Sequence, residues 1–235
     1  MPLSAPIHFL KRRARSIARE TRVPLHQALD DIARSEGFRS WSALSAQAGA
    51  ASPPASLLPE LSEGDMLLLG ARPGQGKTML GLQLLVDGTR DGRRSVFFTR
   101  EITEREARHR LRSLGGGDHA PEIVAGDDID ADCIVRHLMD APRGSIGVID
   151  YLQILDQQRR TPVLGEQLAR LARFAQGSGV ILTFLSQIER GFDAARRPLP
   201  GMADVRLPNA IPPGMFSKAC FLHGGRMGMQ ATAPV

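Results

Sequence analysis

Lys77 and Thr78 close the segment Gly70-Ala71-Arg72-Pro73-Gly74-Gln75-Gly76, behind the apolar run Met66, Leu67, Leu68, Leu69 and ahead of an apolar helical pattern. Strand, glycine loop and helix in that order make an anion site. Small residues let successive backbone N–H groups converge on phosphate oxygens at a helix N-terminus, where the macrodipole is positive. The expected cradle is Arg72, Pro73, Gly74, Gln75, Gly76, Lys77, Thr78 and Met79, with Lys77 reaching the β- and γ-phosphates and the Thr78 hydroxyl on Mg²⁺. The strict spelling G-x-x-x-x-G-K-[ST] is not met: Ala71 stands six before Lys77, and the glycine is one earlier, at Gly70. Composition adds a hint, because only Lys11, Lys77 and Lys218 among 30 basic residues are Lys. A flexible ammonium suits a phosphate site, and an arginine-writing chain has used one here.

Three more polar residues end apolar runs. Glu101 follows SVFFT (95–99), Asp150 ends SIGVID (145–150), and Gln187 closes GVILTFLSQ (179–187). Hydrolysis of a γ-phosphate needs charge neutralisation, a held metal and an oriented water. Asp150 is the candidate carboxylate for Mg²⁺, held through water. Glu101 is placed to orient or deprotonate the attacking water. Gln187 is placed to sense the γ-phosphate and pass its presence to the following loop.

These residues need a scaffold that brings strand ends together. From Glu63 onward, strands alternate with helices expected at Lys77 to Arg90, Thr103 to Leu114, Asp132 to Met139 and Thr161 to Gln176. Parallel strands joined by helices give an α/β doubly wound sheet, whose ligands lie at the carboxyl ends of the strands.

The N-terminal part reads differently. Ile7, Leu10, Ala14, Ile17 and Ala18 recur at helical steps, with Lys11, Arg12, Arg13, Arg15, Arg19 and Arg22 on the other faces. A second helix starts near Pro24 and ends at Gly37, and Phe38, Trp41 and Leu44 supply bulk for a small core. The domain expectation is a small basic helical domain at 1–48, a proline-rich linker at 49–60 and an ATP-binding-type α/β domain at 61–235. The basic helix has two readings, contact with DNA or an acidic partner protein, or a solvated face.

A net charge of +5 with pI near 10.0 suits a polyanionic partner and also suits a merely arginine-rich chain. Cys133 and Cys220 have no metal-type spacing and read as buried thiols in a reducing compartment. No apolar run approaches the roughly 20 residues that span a bilayer, and no signal-peptide pattern opens the chain, so the expectation is a cytoplasmic protein without a membrane partner.

GARPGQGKT, FFTRE, VIDYLQIL and LSQIER, in this order and spacing, resemble the motor core of DnaB-type replicative DNA helicases, within the RecA-like P-loop ATPases. The likeness runs from about Leu61 to Arg190, with fainter traces to Arg206. It implies a RecA-like P-loop NTPase fold preceded by the small all-helical domain, ATP with Mg²⁺, a homo-oligomer in the form of a hexameric ring, and single-stranded DNA in its channel. It also implies Lys77 and Thr78 as the phosphate and metal pair, Glu101 as catalytic carboxylate, Asp150 as second metal carboxylate and Gln187 as coupling residue. The loop holding Arg190, Arg196, Arg197 and Arg206 would face the channel.

Two departures qualify the resemblance. The N-terminal segment is too short for the family's helical domain. The family's K-x-R-x-G element, which supplies an arginine finger, has its nearest likeness in Gly224-Gly225-Arg226-Met227-Gly228, without the lysine, and Arg226 reads more readily as a surface arginine in a terminal hairpin. Two functions therefore stand side by side. One is an ATP-hydrolysing motor acting on DNA. The other is a nucleotide-gated DNA-binding or regulatory assembly protein of a plasmid, phage or mobile element, without unwinding activity.

Overall fold

A computed structural model describes residues 7–44, 56–117, 120–150, 152, 155, 163–189, 191–194, 196–206 and 211–232. Tyr151, Gln153, Arg190 and linker positions 49–55 lie outside the described residues. Contacts divide the chain into two compact units, Met1–Ala55 and Ser56–Val235.

The first unit contains α1 (Ile7–Thr21) and α2 (Leu25–Ser35), with residues 41–44 also helical. Arg22, at φ 56°, is the left-handed residue that ends α1, and Pro24 is the N-cap of α2. Leu10 and Ala14 of α1 bury against Ala28, Ile32, Ala33 and Leu44, and Phe38 and Trp41 close the edge. The carboxylate of Asp30 accepts the Trp41 N–H at 2.8 Å and fixes the return of the chain.

In the second unit the elements are β1 (Met66–Ala71), α3 (Lys77–Arg90), β2 (Ser95–Thr99), α4 (Glu104–Ser113) and β3 (Glu122–Ala125). They continue with α5 (Ala131–Leu138), β4 (Ile146–Asp150), α6 (Leu164–Ser178), β5 (Ile181–Gln187), β6 (Lys218–His223) and β7 (Arg226–Ala231). The seven strands stand in the order β3-β2-β4-β5-β1-β6-β7, parallel throughout except for the β6–β7 hairpin. That hairpin turns on Gly224 and Gly225, both at positive φ, which a two-residue turn matching strand twist requires.

Alternation along the strands sorts side chains into two layers. Leu67, Leu69, Phe97 and Val148 face a layer with Leu80, Leu84 and Leu85 of α3, while Leu68, Phe98 and Ile149 face one with Leu164, Leu168 and Leu171 of α6. Each such buried side chain contributes roughly 1.5–3 kcal/mol. Gly81 lets α3 lie close on the sheet, since a Cβ there would meet Leu185 and Val148 at 3.1 Å.

Several boundaries differ from the sequence expectation. Residues 56–60, read as the end of a linker, belong to the second unit: Leu57 is buried in its core, and the Ser56 hydroxyl donates to Asp87 at 2.7 Å. Gly179, read as the start of a strand, is the left-handed C-cap of α6. Gly70 lies inside β1 and not in the loop; a Cβ there would meet the Phe221 ring at 2.7 Å, so β6 packing explains this glycine. Both cysteines are buried free thiols, and burial pushes Cys220 up to about 12. No helix among the described residues is long and apolar enough to cross a membrane.

Candidate active site

The sheet order makes neighbours of the four strands whose ends carry the candidate residues. Reading β2-β4-β5-β1, Glu101 follows the first, Asp150 ends the second, Gln187 ends the third, and Lys77 and Thr78 follow the fourth after the loop. Register aligns Thr99 with Asp150 and Asp150 with Leu185, so these ends form one edge.

The loop between β1 and α3 has the conformation an anion needs. Gly74 and Gly76 sit at φ 79° and 90°, and nothing lies within 4 Å of a Cβ built on Gly76. Gly76 is the N-cap of α3, and no side chain caps that helix. By contrast, Thr103 and Asp130 cap α4 and α5 through their side chains. The first N–H groups of α3 thus lack the side-chain acceptor that its neighbours have, at the positive end of a 14-residue helix.

Asp150 faces this helix start. Its carboxylate is 2% exposed, and Oδ2 accepts the Thr78 hydroxyl at 3.2 Å. Among the described residues Oδ1 has no hydrogen-bond partner. Burial pushes the Asp150 carboxyl above its ordinary value; the Lys77 charge and the Thr78 hydrogen bond oppose the rise, the Glu101 charge adds to it, and Arg110 opposes it. Lys77, Thr78, Glu101 and Asp150 therefore share one electrostatic neighbourhood. A buried carboxylate with a spare oxygen beside a hydroxyl is a donor set for a hard divalent cation.

Glu101 is exposed, and the chain turns there because the buried Thr99 hydroxyl accepts the N–H groups of Glu101 at 3.1 Å and Ile102 at 3.4 Å. Arg100 braces the corner by a 2.9 Å ion pair with Asp127.

Compared with solved structures, the chain matches an ATPase domain with a TM-score of 0.55 at 16% identity, over 77% of this chain and 82% of that one. It also matches a DnaB-like replicative helicase, solved with its interactions with primase, with a TM-score of 0.51 at 17% identity. That match covers 86% of this chain and 63% of the helicase, so this chain spans less than two thirds of its length. The chain has a RecA-like α/β fold. At these identities the likeness is one of fold, and no protein-family model and no curated protein sequence matches.

Within the RecA-like unit the remaining candidates have distinct surroundings. Gln187 is half-buried beside Ala71, and its carbonyl accepts the Arg206 N–H at 2.8 Å, while Ile188 bridges Val205. The end of β5 is thereby tied to the return of the arginine-bearing loop. The Arg72 side chain points to that loop too: it donates to the Phe192 carbonyl and lies 5.5 Å from the Phe192 ring. Gln75 accepts the Gly224 N–H at 2.8 Å and so holds the tip of the β6–β7 hairpin. Of the cradle residues, then, Arg72 and Gln75 spend their side chains on neighbouring loops. Pro73 and Gly74 are exposed, and Met79 is half-buried in the first turn of α3. Arg226 is exposed at the start of β7.

Sequence reasoning missed Arg110, Phe192 and the contact between Gly224 and Gln75. Arg110 is one of four arginines on α4, and nothing in their spacing singles out the one whose charge reaches Asp150.

Proposed function

We propose that the chain binds Mg-ATP and hydrolyses it, as a RecA-like motor of DnaB-helicase type acting on single-stranded DNA as a homo-oligomer. Asp150 carries this reading: a buried carboxylate, half-satisfied by Thr78, standing at an uncapped helix start with Lys77 and Glu101 close enough to shift it.

The N–H groups of residues 74–79 donate to phosphate oxygens, and the Lys77 ammonium offsets charge on the β- and γ-phosphates. Thr78 and Asp150 would hold Mg²⁺, which supplies charge neutralisation on the transferring phosphoryl group. Glu101 orients the water and takes its proton as the water oxygen bonds to the γ-phosphorus, while the bridging oxygen leaves with ADP. Gln187 reads the state of the γ-phosphate and moves the loop that its backbone is bonded to. Steady-state ATP turnover, with and without Mg²⁺ and single-stranded DNA, tests the proposal. Wild-type turnover should exceed that of Lys77→Ala and Glu101→Gln, and equality among the three would sink it.

The concentration of positive charge on the first unit favours a second reading, an ATP-gated DNA-binding assembly protein without unwinding. Strand displacement by the ATP-loaded protein decides against it.

A further inference from the structure

Charge is distributed unevenly between the two units. Residues 1–55 hold eight basic and four acidic side chains, whereas residues 56–235 hold 22 and 21. Six of those eight lie on α1 or just past its end: Lys11, Arg12, Arg13, Arg15, Arg19 and Arg22, all exposed. Helical geometry stacks Lys11, Arg15 and Arg19 in one row, successive members about 6 Å apart along the axis, with Arg12 and Arg22 flanking it.

Among the described residues no carboxylate pairs with Lys11, Arg15 or Arg19. Glu20, the one acid of α1, accepts the Ser16 hydroxyl at 2.7 Å; on α2, Asp31 pairs with Arg34 and Asp30 accepts the Trp41 N–H. Among the described residues Lys11, Arg13, Arg15, Arg19 and Arg22 form no ion pair. Arginines of the second unit such as Arg94, Arg100, Arg108 and Arg143 are paired with carboxylates.

We propose that the Lys11–Arg15–Arg19 face of α1 binds the phosphate backbone of a nucleic acid, without reading its sequence and independently of the nucleotide site. The alternative polyanions fit less well. A membrane surface needs the apolar face of the helix, and that face is spent on the unit's own core, with Leu10 1% and Ala14 0% exposed. An acidic protein surface presents carboxylates at irregular intervals, whereas one cation per helical turn matches a regularly repeating charge. Guanidinium groups bind phosphate oxygens in bidentate fashion, which suits a row written mostly in arginine.

The test titrates the full chain into fluorescein-labelled mixed-sequence DNA, single-stranded and duplex, without nucleotide and over a range of salt. The triple substitution Lys11→Gln, Arg15→Gln, Arg19→Gln should weaken binding about 10- to 100-fold at low salt. It should also flatten the log–log salt dependence by roughly 2 to 3. Glutamine is a good helix former and the three positions are exposed, so circular dichroism should be unchanged, and DNA-free ATP turnover should match wild type. If the triple variant fails to fold, Arg15→Gln alone should flatten the slope by roughly 0.7 to 0.9. Wild-type affinity and slope in a folded variant overturn the proposal, and so does binding to polyglutamate as tight as to DNA. Loss of DNA binding with intact ATP turnover supports it and leaves the hydrolytic reading untouched.

Discussion

Two aspartates at opposite ends of the same sheet have opposite electrostatics. Asp65 precedes β1 at the amino edge, where Oδ1 accepts the Ser217 hydroxyl and Oδ2 accepts the Ser62 N–H and the Lys218 ammonium, each at 2.7 Å. Burial raises its carboxyl, but the hydrogen bonds from Lys218, Ser62 and Ser217 win, and it sits below its ordinary value. Asp150 ends β4 at the carboxyl edge with one oxygen on Thr78 and the other without a partner among the described residues, and burial wins. The difference teaches that burial decides the direction only where hydrogen bonds do not: the chain itself completes the Asp65 charge, while Asp150 keeps one oxygen without a partner among the described residues.

The widest gap between the two should be in activity. Asp150→Asn should cut ATP turnover by about 100-fold or more, the scale on which lost transition-state electrostatics are measured, while Asp65→Asn leaves turnover near wild type. Steady-state kinetics of both folded variants break the comparison if Asp65→Asn is the more damaging.

Stability should show the reverse. Asp65→Ala strands the Lys218 ammonium and the Ser217 hydroxyl, a cost of about 2 kcal/mol, or a fall in Tm of roughly 4–8 °C for a domain of this size. The Lys218 side chain is 25% exposed, which keeps the figure below that of a fully buried pair. Differential scanning calorimetry of the ligand-free protein checks it. In the same experiment Asp150→Asn should raise Tm by about 2 °C at neutral pH, because it removes a charge that burial penalises.

The smallest effect is the sign of the pH dependence. The folded pKa of Asp65 is depressed, so its stabilisation is complete above its unfolded value near 3.8 and is lost as pH falls through the lower folded value. The folded pKa of Asp150 is raised, so its penalty grows as pH rises from 3.8 toward the folded value. Urea melts at several acidic pH values should show Asp65→Asn converging on wild type toward low pH and Asp150→Asn diverging from it toward neutral pH. Parallel curves would remove the contrast.

Much of the second unit was legible from the sequence, since its strands are buried on both faces and read as continuous apolar runs. The limits expected for α3 and β2 coincide with those observed. β3 escaped because it is a half-exposed edge strand, Glu122 to Ala125, with too few apolar residues to stand out. β6 and β7 were legible only as a terminal hairpin around Arg226, because they follow a proline-rich stretch and β6 joins the sheet through β1, about 151 residues away in sequence. Gly70 was misread because a glycine beside a glycine loop looks like part of it, and only the Phe221 ring shows its true neighbour.

What the amino-acid sequence by itself determined was local: the strand, the left-handed glycines and the lysine that starts a helix, all set within a dozen residues by backbone sterics and periodicity. Tertiary structure alone decided that β2, β4, β5 and β1 stand side by side, bringing residues as far apart as Lys77, Glu101, Asp150 and Gln187 to one edge. It also decided which aspartate is satisfied. Burial and hydrogen bonding depend on what packs around a side chain, and for Asp65 and Asp150 those neighbours come from elsewhere in the chain.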